Sequence, residues 1–211
     1  MRAYLTEAVG TFFLVLTIGL TTNAASPLAP VAIGLGLMVM VYAGANASGA
    51  HYNPAVTLGL TLSGALDRSK VAGYWAAQLL GAIVASVLTM KFTGQPPLVA
   101  PAESTTVLKA LTGEAIATFA LAYVVMHVAT GKGRAGNSYY GLAIGATVAA
   151  MAVAFGGITG GAFNPAVGFG TALSRLILGR GFDAGSWVYI VGPMAGAAVA
   201  APVFKYQESA A

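Results

Sequence analysis

Ser48-Gly49-Ala50-His51-Tyr52-Asn53-Pro54-Ala55-Val56 returns 111 positions later as Thr159-Gly160-Gly161-Ala162-Phe163-Asn164-Pro165-Ala166-Val167. The likeness extends beyond the shared Asn-Pro-Ala. Ala32-Ile33-Gly34 is answered by Ala143-Ile144-Gly145 at the same offset, and Glu7 by Glu114 at a nearly equal one. A tripeptide recurs easily by chance. With matching flanks and matching apolar spans, it marks an internal duplication of about a hundred residues. Repeat one is read as about 1–95 and repeat two as about 108–205, both within a single domain covering 1–211.

Of 211 residues, 57% are apolar and 8% charged, with a mean hydropathy of +0.79. A soluble domain carries about 25% charged residues, so this composition specifies an integral membrane protein. A bilayer core takes ~20 residues per helical span, which leaves room for six spans and no extramembrane domain. The net charge of +4 is spread over loops, so nucleic acid is not an expected partner. The absence of cysteine excludes disulfides and thiolate metal centres. Two histidines, His51 and His127, far apart in the chain, make no metal site, and no cofactor is expected. The first 25 residues, with Arg2, an apolar run and Asn23-Ala24-Ala25-Ser26, have the outline of a secretory signal. Glu7 inside that run, and its counterpart Glu114 in mid-chain, argue for a membrane span instead.

The spans are read at about Tyr4–Thr21, Leu28–Ala45, Val71–Met90, Leu108–Ala129, Tyr139–Phe155 and Gly185–Phe204. Each motif is followed by an apolar stretch too short to cross, Pro54–Leu62 and Pro165–Leu173. Residues 91–107 read as an extramembrane connection between the repeats, and Arg175–Ala184 as a polar loop. Three crossings per half invert the second half relative to the first. With the N-terminus inside, Arg2, Arg68, Lys70, Lys132, Arg134 and Lys205 face the cytoplasm, while Lys91, Lys109, Arg175 and Arg180 face out, the expected direction of bias. Small residues crowd the spans, as in Gly141–Ala146 and Gly192–Ala200, and permit close helix approach where lipid supplies no hydrophobic drive.

Proline directly after Asn suits the first position of a helix, where its missing N–H costs nothing. Each motif therefore starts a half-helix of eight or nine residues, ~12–14 Å long, about half the bilayer core. Two inverted half-helices meet at the midplane by their N-termini. Irregular backbone at that depth is tolerated only inside protein or along a water-filled path. The paired N-termini concentrate partial positive charge, and Asn53 and Asn164 add amide donors. Such a site accepts a neutral hydrogen-bonding solute and repels a cation. The loops ahead of each half-helix, Gly49, Ala50 and His51 in one and Gly160, Gly161 and Ala162 in the other, offer a ladder of carbonyl acceptors.

Six spans, two half-helices, paired Asn-Pro-Ala motifs and a Glu in spans one and four make the whole chain resemble the aquaporin (major intrinsic protein) family. The resemblance implies an all-α membrane protein of aquaporin fold, a homotetramer in the bilayer with one pore per subunit. It also implies that Glu7 and Glu114 brace the motif loops. The pore motifs fall on Asn53, Pro54, Ala55, Asn164, Pro165 and Ala166. The family's outer constriction falls, by gapless spacing from the motifs, on Ile33, Ala152, Gly161 and Val167. Family members usually carry Arg at the last of these, and water-selective members put bulky aromatic and His side chains at the first two. Here the ring is Ile, Ala, Gly and Val, with no side-chain donor. The sequence is thus similar to two Arg-less groups: certain plant vacuolar-membrane aquaporins, and bacterial aquaglyceroporins associated with arsenic resistance.

The expected function is a passive channel for water and small uncharged solutes, with glycerol, urea, hydrogen peroxide, arsenous acid and methylated arsenicals as candidates. The alternatives are a water-selective pore and an inverted-repeat secondary transporter. No nucleophile–base pair or metal cluster suggests an enzyme. The short termini suggest a bacterial plasma membrane. His51 is expected to bond the loop backbone, His127 to pack or lie at the interface, Tyr52 and Phe163 to pack, and Trp75 and Trp187 to anchor the interfaces.

Overall fold

The apolar runs fold as helices of two lengths. The computed structural model describes residues 1–97, 99–132, 136–182 and 184–209. Among the described residues, six helices are long and apolar enough to cross a membrane. They are α1 (Arg2–Asn23), α2 (Ala29–Ser48), α4 (Val71–Thr93), α5 (Val107–Val125), α6 (Tyr140–Thr159) and α8 (Val188–Ser209). Two short helices, α3 (Pro54–Ser63) and α7 (Pro165–Ile177), follow the motifs. This is the all-α arrangement of six spans and two half-helices that the duplicated sequence requires. Arg134 lies outside the described residues.

Symmetry-related glycines set how closely the helices approach. Gly34 of α2 and Gly145 of α6, 111 positions apart, face each other so tightly that a methyl on either would collide with the other's carbonyl oxygen. Gly81 of α4 meets the backbone of Ala8 and Phe12 in α1, and Gly196 of α8 meets that of Ala115 and Phe119 in α5. Each half is thus a tight pair of its first and third spans, and the second spans, α2 and α6, join the halves. The half-helices cross over: α3 packs chiefly on α8, and α7 chiefly on α4. The core lies where they meet, with Ala55 and Ala166 fully buried.

Several boundaries differ from the sequence reading, among them the end of the sixth span, which runs on from Phe204 to Ser209. α6 continues past Phe155 to Thr159, because Gly156-Gly157, a turn signal in water, is held in helix where lipid leaves the backbone no other partner. α7 runs 13 residues, to Ile177, so Arg175 lies in its last turn instead of in a loop. Its apolar continuation, Leu176-Ile177, extends the helix beyond the half-membrane length. The end of the fourth span, Met126–Thr130, winds as a π-helix. The connection between the repeats also does not simply float in water. Ala102 N–H and Thr105 Oγ both donate to Ile158 O, at 3.1 and 2.9 Å, which ties it to the end of α6.

Candidate functional site

α2 and α6 both stop at glycine, Gly49 with φ +86° and Gly160 with φ +89°, a left-handed conformation that costs glycine little. The chain then turns inward. Asn53 and Asn164 sit at the N-caps of the half-helices. Asn53 Oδ1 accepts from Ala55 N–H at 2.8 Å, and Asn164 Oδ1 from Ala166 N–H at 2.9 Å. These bonds satisfy donors left open at a helix start. Proline in the next position has none to lose.

The amide nitrogens cross between the halves. Asn53 Nδ2 donates to Phe163 O at 2.9 Å, and Asn164 Nδ2 donates to Tyr52 O at 2.8 Å. Each Nδ2 carries two hydrogens, so this exchange leaves one on each amide for a passing solute. Tyr52 and Phe163 hold positive φ, +50° and +48°, a conformation uncommon for bulky residues. It aims their carbonyls at the opposite half. Their side chains are buried, and Tyr52 Oη donates to Met40 O at 2.9 Å. The expectation that both only pack is therefore too narrow, because their backbones also clamp the two motifs together.

A carboxylate holds each loop. Glu7 Oε1 accepts from Ser48 Oγ at 2.6 Å and His51 N–H at 2.9 Å, and Oε2 from Tyr52 N–H at 2.7 Å and Gln78 Nε2 at 2.8 Å. Glu114 Oε1 accepts from Thr159 Oγ1 at 2.7 Å and Ala162 N–H at 3.2 Å, and Oε2 from Phe163 N–H at 2.6 Å. Tyr74 Oη donates to Ser48 O at 2.6 Å, and Tyr189 Oη to Thr159 O at 2.7 Å. A carboxylate buried in a membrane is costly unless such donors surround it. The sequence reading assigns no role to Ser48 and Thr159, which open the duplicated stretch, or to Tyr74 and Tyr189. Their recurrence at offsets of 111 and 115 was the available signal.

Ile33, Ala152, Gly161 and Val167 converge on one lumen with Asn53 and Asn164. Ala50, His51 and Ala162 line it as well. Its volume is about 40 Å³, room for no more than a few waters. Gly49 lies instead on a wide vestibule of about 700 Å³ at the N-terminal side. Gly160 packs against Ala100 and Tyr189. Pro54, Ala55, Pro165 and Ala166 are buried in the helix starts. His51 Nδ1 is 3.1 Å from Thr57 Oγ1, so the imidazole binds a side chain and not the loop backbone. Trp75 Nε1 donates to Pro54 O at 3.1 Å and so braces the first half-helix instead of anchoring an interface. Trp187 is exposed beside the start of α8. His127 packs with Tyr123 and Phe204.

This geometry has relatives. The chain is 42% identical to aquaporin TIP1-2 of Zea mays over 189 residues, covering 88% of this chain and 72% of that protein. It is 39% identical to aquaporin NIP1-1 of Zea mays over 213 residues, covering 95% of this chain and 73% of that protein. The X-ray structure of the aquaglyceroporin from Plasmodium falciparum superposes with a TM-score of 0.85 at 25% identity, covering 100% of this chain and 99% of that one. The family model for the major intrinsic proteins matches residues 1–204. Two half-helices meeting by their capped N-termini inside six spans thus have their match in sequence and in structure, and the chain belongs to the major intrinsic protein (aquaporin) family.

Proposed function

We propose that this passive, multi-pass membrane channel for water and small solutes selects its larger permeants at the ring of Ile33, Ala152, Gly161 and Val167. The observation that carries this reading is Val167. It lies two residues into α7, 1% exposed and on the lumen, and none of the four side chains can donate a hydrogen bond. Acceptors come from loop backbone on one wall, while the opposite wall is apolar. Such a pairing suits a solute with hydroxyls on one side and low desolvation cost on the other. Glycerol, urea, hydrogen peroxide, arsenous acid and neutral methylated arsenicals meet that description. The likeness to an aquaglyceroporin structure supports the same class. A water-selective pore is the second reading, favoured by the small volume of the lumen.

The pore is further proposed to act without catalysis, each half (about 1–95 and 108–205) contributing one motif, and to assemble as a homotetramer. Leu35, Val39, Val153 and Val199 are among the exposed apolar side chains on the spans that lipid or neighbouring subunits would cover. The two sequence relatives named above are plant proteins and lend no support to a bacterial membrane. Coupled transport is disfavoured, since both glutamates are engaged by several donors apiece. Stopped-flow light scattering on proteoliposomes tests the reading with water, glycerol, urea and arsenous acid. Reswelling by the three solutes above empty-liposome rates is expected. Water flux without any solute flux would establish the water-selective alternative.

A further inference from the structure

The second half of the chain is an internal control for the first. Both loops are braced by a glutamate, a Ser or Thr hydroxyl and a tyrosine. The first half has three more polar residues: His51, Thr57 and Gln78. At the repeat offset of 111, His51 and Thr57 correspond to Ala162 and Gly168. At the offset of 115 that relates Tyr74 to Tyr189, Gln78 corresponds to Pro193. Bracing alone is therefore achieved without them.

Their bonds form a directed chain. Thr57 Oγ1 has one hydrogen and two lone pairs. It lies 3.0 Å from Asn53 O, to which it donates, and accepts from Gln78 Nε2 at 3.0 Å. The second hydrogen of Gln78 Nε2 goes to Glu7 Oε2. The remaining lone pair of Thr57 faces His51 Nδ1 at 3.1 Å, so Nδ1 carries the proton. The reverse direction would leave Thr57 Oγ1 and Asn53 O facing each other at 3.0 Å with no proton between them. With Nδ1 protonated, Nε2 of the neutral ring is a bare acceptor. It has no bond to any described residue, yet it is not among the buried unpartnered atoms, so it is open to the space at the mouth of the lumen, on the side of Gly49. His51 and Val125 are the two residues that line both the vestibule and the narrow lumen, and so form the neck between them.

We propose that His51, its tautomer fixed by Thr57 and Gln78, is a specificity-determining acceptor at the vestibular neck of the pore. The class it selects is neutral solutes that bring an O–H or N–H donor past an apolar wall. Water in single file keeps its neighbours ahead and behind when it passes. A glycerol hydroxyl at the neck faces Val125 on one side and has Nε2 as its side-chain partner on the other. Losing that acceptor slows glycerol more than water, by about fivefold for one net hydrogen bond.

This inference rests on the solute-channel reading, and the test separates the two. Wild type, Thr57→Val, Thr57→Ser and His51→Phe are reconstituted in liposomes and assayed with water and glycerol. The glycerol-to-water ratio is expected to fall about fivefold in Thr57→Val and His51→Phe, and to return in Thr57→Ser. Solid-state ¹⁵N NMR of histidine-labelled protein reads the tautomer directly, with His127→Gln identifying the His51 signals. A neutral ring protonated on Nδ1 is expected in wild type. Protonation on Nε2, or an unchanged ratio in the valine and phenylalanine variants, overturns the role of His51 and leaves the channel reading standing. No glycerol flux through wild type overturns the solute reading and with it the selective role of this side chain.

Discussion

Removing the Glu114 carboxylate is the sharpest test of how the second loop is held. Its two oxygens take three hydrogen bonds, from Thr159 Oγ1 and the N–H groups of Ala162 and Phe163. Ala162 is 6% and Phe163 2% exposed, so neither N–H can turn to bulk water. In Glu114→Ala both backbone donors lose their acceptor. At about 1–3 kcal/mol for each buried orphan, the loss is about 2–6 kcal/mol. The threonine hydroxyl adds little, because it can turn to Phe155 O, 3.4 Å away. Glu114→Gln retains one carbonyl oxygen and places an amide donor against the remaining donors. One group is then unmatched, and the cost is about 1–3 kcal/mol. Tryptophan-fluorescence unfolding of detergent-solubilised protein should rank wild type above Gln and Gln above Ala. Osmotic water permeability should fall in the same order. Equal stability of the alanine and glutamine variants, or a loss in alanine below about 0.5 kcal/mol, would refute the reasoning.

Val167→Arg fills the lumen wall with bulk and charge, so glycerol reswelling of proteoliposomes should drop more than water flux; equal rates in the two proteins would show that this position does not set the cutoff. Gly34→Ala and Gly145→Ala each force α2 and α6 apart and should cost about 1–3 kcal/mol. The double variant should cost less than the sum, since one displacement relieves both collisions; additive unfolding energies would contradict the shared contact. Planar-bilayer recording of wild type should show no sodium current, because the midplane offers amide donors and two helix N-termini; a large current would refute cation exclusion.

The parts of the fold visible in the sequence are those with a local cause. Asn-Pro fixes a helix start wherever it stands, and a twenty-residue apolar run with no partner in lipid must coil. Glu7 and Glu114 stood out because a carboxylate in an apolar span demands donors. The end of α6 at Thr159 is not legible in the sequence, because Gly156-Gly157 has opposite meanings in water and in a membrane. The loops of Gly49 and Gly160 reach the lumen, but which of their carbonyls face inward depends on each left-handed turn, which the sequence does not specify. Trp75 reaches Pro54 O, and Gln78 links Glu7 to Thr57, only because α4 packs where it does. Such contacts join residues 21 positions apart or more and leave no periodic trace in the sequence.

The crossed asparagine bonds bear on the order of assembly. Residues emerge from the ribosome in sequence, so α1 to α4 can enter the bilayer long before Asn164 exists. During that interval Tyr52 O lacks the amide that holds it in the finished channel, and α3 lacks α8, its chief packing partner. The first half is thus an unfinished insert, with a carbonyl and a short helix waiting in the hydrocarbon for synthesis of the second. Truncation after residue 106 is expected to leave α3 loosely seated, because what completes each half is encoded in the other.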